Sequence, residues 1–168
     1  MPQRTRLNIE GIANIRARLE GAVQEAIMLT AIATRDLAKE EAPKDTEALA
    51  ESIHIVSHNY SDYQESMASA RIKWETAKAA GVTPKGVRIG PNEQFSGLPE
   101  IRPPNTSETW VVVGMPYGID NEYGTVRRGA KPFLRPALLA NRKTLTDAIK
   151  VAVNDLVVKV KYTEVSRL

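Results

Sequence analysis

The chain has 168 residues, 42% of them hydrophobic and only 5% aromatic, with a formal net charge of +3. That length suits one domain with a core of Ala, Val, Ile and Leu, and it excludes two full-sized domains. There is no cysteine, which excludes disulfide staples, thiolate metal sites and a Cys nucleophile, and fits a reducing cytoplasm.

The charge is unevenly spread. Residues 1–42 hold six Lys/Arg and six Asp/Glu, residues 43–123 seven and eleven, and residues 124–168 ten and three, so the local balances are zero, −4 and +7. An acidic middle and a basic final quarter suit head-to-tail contact between copies or contact with a polyanion. The opening MPQRTRLNIEG is charged with no apolar core behind it, and no apolar run approaches bilayer length. A soluble chain that meets no membrane and carries no export signal is expected.

After Asn8, an N-cap candidate, apolar residues recur at Ile12, Ile15, Leu19, Val23, Ala26, Ala33 and Leu37. Steps of three and four predict a helix over 9–41, stopped by Pro43, with Arg16 and Glu20 paired on its charged face. In APKDTEALAES, Pro43, Asp45 and Thr46 form a structural turn, Asp45 or Thr46 capping a short helical turn over 47–52. SIHIVSH alternates, with Ile53 and Ile55 on one face and His54, Val56 and His58 on the other, predicting a half-buried strand over 52–59.

The middle, 60–108, is less regular. Met67, Ala70, Trp74 and Ala77 fall at helical spacing and close on Gly81, a suitable C-cap. Beyond it prolines and glycines exclude a long element, although GVRIG suits a short edge strand, and the region reads as an excursion from the core. TWVVVGMP is almost continuously apolar, predicting a strand buried on both faces. GIDNEYGT reads as turn-rich. A second long helix then runs from Pro136 to about 160 along Leu138, Leu145, Ile149, Val153, Leu156 and Val160, with Lys159 and Lys161 favouring its negative dipole end. The fold class expected is α+β: two long helices packed on a small, mostly antiparallel sheet, with a long insertion between strands. It is one domain over 1–168, with a core at 8–58 and 109–160 and the insertion at 60–108.

Chemistry-bearing patterns are sparse. His54 and His58, four apart, suggest a metal pair only weakly, because the stretch reads as a strand and no HExxH pattern is present. Asp120 and Glu122, beside Tyr123, are the best carboxylate pair for acid–base work, yet no histidine or nucleophilic serine adjoins them. No phosphate-cradling loop or hydrolase elbow occurs. The chain is therefore read as a non-enzyme needing no metal and no cofactor. Arg127, Arg128, Lys131, Arg135, Arg142 and Lys143 are able to contact phosphates, but no nucleic-acid reading module accompanies them.

The stretch EYGTVRRGAKPFLRPAL, Glu122 to Leu138, concentrates two glycines, two prolines and four basic residues. An active-site loop, a nucleic-acid contact and a subunit-docking loop all remain open on composition. Gly124 and Gly129 are expected to supply backbone freedom, and Phe133, Leu134 and Pro136 to anchor the loop. Glu122, Tyr123, Thr125, Arg127, Arg128, Lys131 and Arg135, with Gly124, are expected at a partner interface or a DNA channel.

This stretch, preceded by VVVGMPYGIDN, and the block APKDTEALAESI after the first helix together resemble the tail-completion (neck) proteins of long-tailed bacteriophages, the group of lambda's minor tail protein Z. In that family a helix ends in a Pro-x-Asp-Thr-Gly-x-Leu-x-x-Ser-Ile-like turn, and Glu-Tyr-Gly-Thr leads to Pro-Phe-Leu-Arg-Pro-Ala. Pro43, Asp45, Thr46, Leu49, Ser52 and Ile53 fit the first pattern; Glu122 to Thr125 and Pro132 to Ala137 fit the second. Glu47 stands where the family usually has glycine, so a more helical turn is expected. The resemblance implies a non-enzymatic virion protein that forms a ring with itself, commonly a hexamer, at the head–tail junction. Its partners would be the head connector or stopper and the tail terminator or tube, with genome DNA passing through the lumen without sequence specificity. A tail terminator, or a basic DNA-binding accessory protein, are the alternatives.

Overall fold

A computed structural model describes residues 9–82 and 101–165, with side chains over 13–82 and 101–155. Helix α1 spans Ile9–Glu41, as its periodicity predicts, and ends where Pro43 forbids continuation. Helix α2, Ala48–Glu51, is a single turn leading into β1, Ile53–Ser57. Helix α3, Tyr63–Ala79, closes on Gly81, whose φ of +74° is the left-handed C-cap expected of glycine. Strand β2, Thr109–Val113, pairs antiparallel with β1, Ile53 opposite Val113 and Ser57 opposite Thr109. A six-residue helix α4, Gly118–Tyr123, precedes the second long helix α5, Leu134–Val165. The molecule is α+β, helices around a two-stranded antiparallel sheet.

Helices α1 and α5 are antiparallel neighbours. Ala38 and Ala137 meet in the core at one end, while Leu29 lies beside Ala148 and Val151 further along. Alanine at these contacts lets the two backbones approach closely. The core sits where the end of α1 meets the start of α5: Ala38, Ala42, Leu49, Ile53, Trp74, Met115, Tyr117, Phe133 and Ala137 form one buried cluster.

Five expectations change. Strand β1 is buried along its whole length rather than half-buried, because His54, on the face assigned to solvent, lies 5.2 Å from the Tyr63 ring at the start of α3. Strand β2, expected to be buried on both faces, is only half-buried along its length. The first part of the supposed excursion belongs to the core, for α3 contributes buried Met67, Ala70 and Trp74. GIDNEYGT is mostly helix, not turn. On α5 the buried stripe starts at Ala137 and leaves Leu138 more than half exposed, because the small side chain, not the large one, fits against α1. Leu145 and Ile149 are half-buried and Val153 is exposed. Asn8, the GVRIG strand and the side chains of Leu156, Lys159, Val160 and Lys161 lie outside the described residues.

Two local features set the frame of the site. Asp62 accepts the Ile55 N–H at 2.6 Å through Oδ1 and the Arg35 guanidinium at 2.8 Å through Oδ2, joining α1, β1 and α3. Asp62→Ala leaves a buried N–H and a half-buried guanidinium without this acceptor, and is expected to cost about 2 kcal/mol in denaturant unfolding. Glu47 has φ +57°, the left-handed region, and is the one such non-glycine residue among those described. The turn is thus not the more helical one expected: α2 begins only at Ala48, and Glu47 itself takes the conformation glycine favours, while its carboxylate pairs with Lys73. Glu47→Gly and Glu47→Ala both lose that exposed pair, but only glycine relieves the backbone. The glycine variant is expected to melt about 3 °C above the alanine variant.

Candidate docking site

The loop between α4 and α5 is held from beneath. Gly124 has φ +78°, and a Cβ there would stand 2.7 Å from the Ala130 N and 2.9 Å from the Arg128 carbonyl oxygen. Both are backbone atoms that cannot swing aside, so the position requires glycine. Gly129 differs from expectation: its φ is outside the left-handed region and a Cβ would meet nothing within 4 Å.

Gly124 leads into a tight turn. Thr125 N–H donates to the Arg128 carbonyl at 2.8 Å and Arg128 N–H returns to the Thr125 carbonyl at 3.2 Å, while Arg127 N–H reaches the Thr125 hydroxyl at 3.3 Å. Val126 and Arg127 occupy the tip, and Val126 is fully exposed. Lys131 N–H then donates to the buried Asn121 carbonyl at 2.7 Å, tying the loop to α4.

Glu122 makes the remaining connection. Its Oε2 accepts Phe133 N–H at 2.9 Å and Leu134 N–H at 3.0 Å, and its Oε1 accepts Arg135 N–H at 3.0 Å. These are the first amides of α5, which have no partner inside the helix and sit at its positive end. Burial pushes the Glu122 carboxyl up, but the three backbone amides and the Arg135 side chain outweigh it and hold it below the usual carboxylate range. Glu122 is therefore the cap of α5 from across the loop, buried rather than facing a partner or DNA. Asp120, its supposed catalytic mate, is exposed on α4.

The other named residues divide cleanly. Tyr123, Thr125, Arg127, Lys131 and Arg135 are exposed, Arg128 and Gly124 half-buried. The Arg135 guanidinium lies 5.0 Å from the Tyr123 ring centroid and 3.5 Å from Glu122 Oε1. Phe133 is fully buried and Leu134 packs against the core, so these two are the anchors. Pro136, expected as a third, is exposed in the first turn of α5, where its missing N–H costs nothing. Among the described residues Arg127, Arg128, Lys131, Arg142 and Lys143 make no ion pair.

The first motif block joins the second. Pro43 is half-buried and Asp45 exposed; Thr46 is buried and its hydroxyl accepts Ala48 N–H at 3.4 Å. Thr46 is also hydrogen-bonded to Tyr117, whose phenol burial pushes up to about 12 against the pull of that bond. Gly114 N–H donates to the Ser52 carbonyl at 3.0 Å, and Leu49 and Phe133 share the core. Tyr117, the N-cap of α4, and Asn121, whose Nδ2 donates to the Tyr117 carbonyl at 3.1 Å, were missed in the sequence because no local pattern marks their burial.

His54 and His58 do not come together as a site: His54 is buried with Nδ1 2.9 Å from the Ser52 carbonyl, and His58 is exposed past the strand. Among the described residues no group of three His, Cys, Asp or Glu is placed to hold a metal, and no helix is long and apolar enough to cross a membrane. No protein-family model, curated protein or solved structure matches the chain.

Proposed function

We propose that the protein is a structural component of a tailed-phage neck, a ring of identical subunits at the head–tail junction that makes the tail competent for joining. The observation that carries this reading is that its two motif blocks, some seventy residues apart, pack into one unit whose basic loop is braced from below and left unpaired at its tip. A loop whose backbone is bound by Glu122, Gly124 and Asn121 keeps its shape without a partner, so docking it costs little further ordering. The left-handed Glu47, standing where the family usually has glycine, supports the same turn geometry.

In this reading the protein is not an enzyme, its partners are further copies of itself, the head connector or stopper and the tail terminator or tube, and DNA passes through the lumen. Electron micrographs of phage lacking the protein are expected to contain tails of normal length detached from full heads. Overlong tails would assign it as a terminator instead, and normally joined particles would sink the proposal.

The unpaired cations favour one second reading, a DNA-binding accessory protein. Duplex binding by the isolated monomer that weakens steeply with salt is what that reading requires.

A further inference from the structure

We infer that the loop tip of one copy docks into the groove between α1 and α5 of the next copy. This rests on the ring reading above and names the surface that the loop meets. The groove has a volume of about 670 Å³ and a floor of small side chains, Ala22, Ala26 and Ala148 among them. Leu29 and Val151 line it and are each 60% exposed, large apolar side chains left mostly uncovered by the described residues. At its rim Glu25 and Asp155 outnumber the one cation, Arg18, and neither acid has an ion pair among the described residues.

The tip is the complement of this groove. Val126 offers an exposed apolar side chain followed by Arg127 and Arg128, cations that meet no carboxylate among the described residues. An apolar knob with two cations beside it matches an apolar trough with acids at the edge, the arrangement that gives register and a single orientation.

The knob cannot fill the trough of its own chain. The loop joins α5 at Leu134 while the groove begins at Ala148, a separation of about 21 Å along a rigid helix. Only another molecule can deliver the tip. Because knob and trough are different patches, each subunit would give one and receive one, the head-to-tail contact from which closed rings are built.

The chain has no cysteine, so an introduced pair reports this contact alone. In the full-length chain carrying Val126→Cys and Leu29→Cys, oxidation is expected to yield a ladder of covalent oligomers on a non-reducing gel, which neither single variant gives. Arg127→Glu is expected to weaken self-association about tenfold or more, and adding Glu25→Arg to restore it. If the wild type assembles but the double-cysteine chain cross-links no better than the single variants and Glu25→Arg gives no rescue, the docking inference is overturned while the ring reading stands. A wild type that stays monomeric at high concentration overturns both.

Discussion

Glu122→Gln is expected to lower the unfolding free energy at pH 7 by about 3 kcal/mol, the loss of charge-assisted bonds to the first amides of a helix. The amide keeps the shape but presents only one acceptor oxygen to donors that the carboxylate serves with two. The pH dependence follows from the sign of the shift. A carboxyl held below its ordinary value of 4.5 in the folded chain contributes stability that is full above that value and is lost as pH falls through the folded value. The gap between wild type and variant is therefore expected to stay constant from pH 8 to 5 and to close below about pH 4.5. Denaturant midpoints of the two proteins across that range check it; a gap that persisted unchanged at pH 3 would contradict the capping role. An acid–base role predicts the opposite pattern, unaltered stability with a lost turnover.

Phe133→Ala is expected to cost about 4 kcal/mol, the larger of the two effects, because the ring is fully buried among Ala38, Ala42, Leu49 and Met115, where short side chains cannot close the cavity. Phe133→Leu, which keeps most of the volume, is expected to cost about 1 kcal/mol. The loss should be concentrated at the start of α5, whose first amides are held by Glu122 beside this ring. Hydrogen exchange resolves it: protection at residues 133–137 should fall in the alanine variant further than protection in β1. Equal loss throughout would mean that Phe133 supports the core generally and not this junction in particular.

Both residues act at one place, where the basic loop becomes a helix. Burying an anion beneath a cationic loop fixes the loop's base while its tip stays exposed, so stability and the proposed docking fall to different side chains of one short stretch. Charge changes at the exposed tip can then alter association without unfolding the monomer, provided Glu122 and Gly124 are untouched.

The long elements were legible because they follow periodicities that a window of residues averages well: α1 from its three-and-four spacing and Pro43, α3 from Met67 to Gly81. What sequence patterning misread depends on neighbours distant in the chain. His54 is covered by Tyr63, β2 is only half-buried beside a fully buried β1, and the start of the α5 stripe moves from Leu138 to Ala137, which joins Ala38 in the core. Glu122 shows the same limit at the site. Its importance was visible in its setting, but its role rests on amides eleven to thirteen residues later, and no local spacing rule connects them. Glu47 was misread in the same way: its departure from glycine suggested a more helical turn, whereas the residue takes the left-handed conformation itself.

The central claim is that identical subunits associate through the Arg127–Arg128 tip of a braced loop. Analytical ultracentrifugation of the wild type and the Arg127→Glu, Arg128→Glu double variant, with melting curves on both, tests it most directly. A closed oligomer of one size is expected for the wild type and monomers for the variant, with equal melting temperatures once the wild type is diluted to monomer. A wild type that remains monomeric at high concentration, or a variant that assembles as the wild type does, would contradict it.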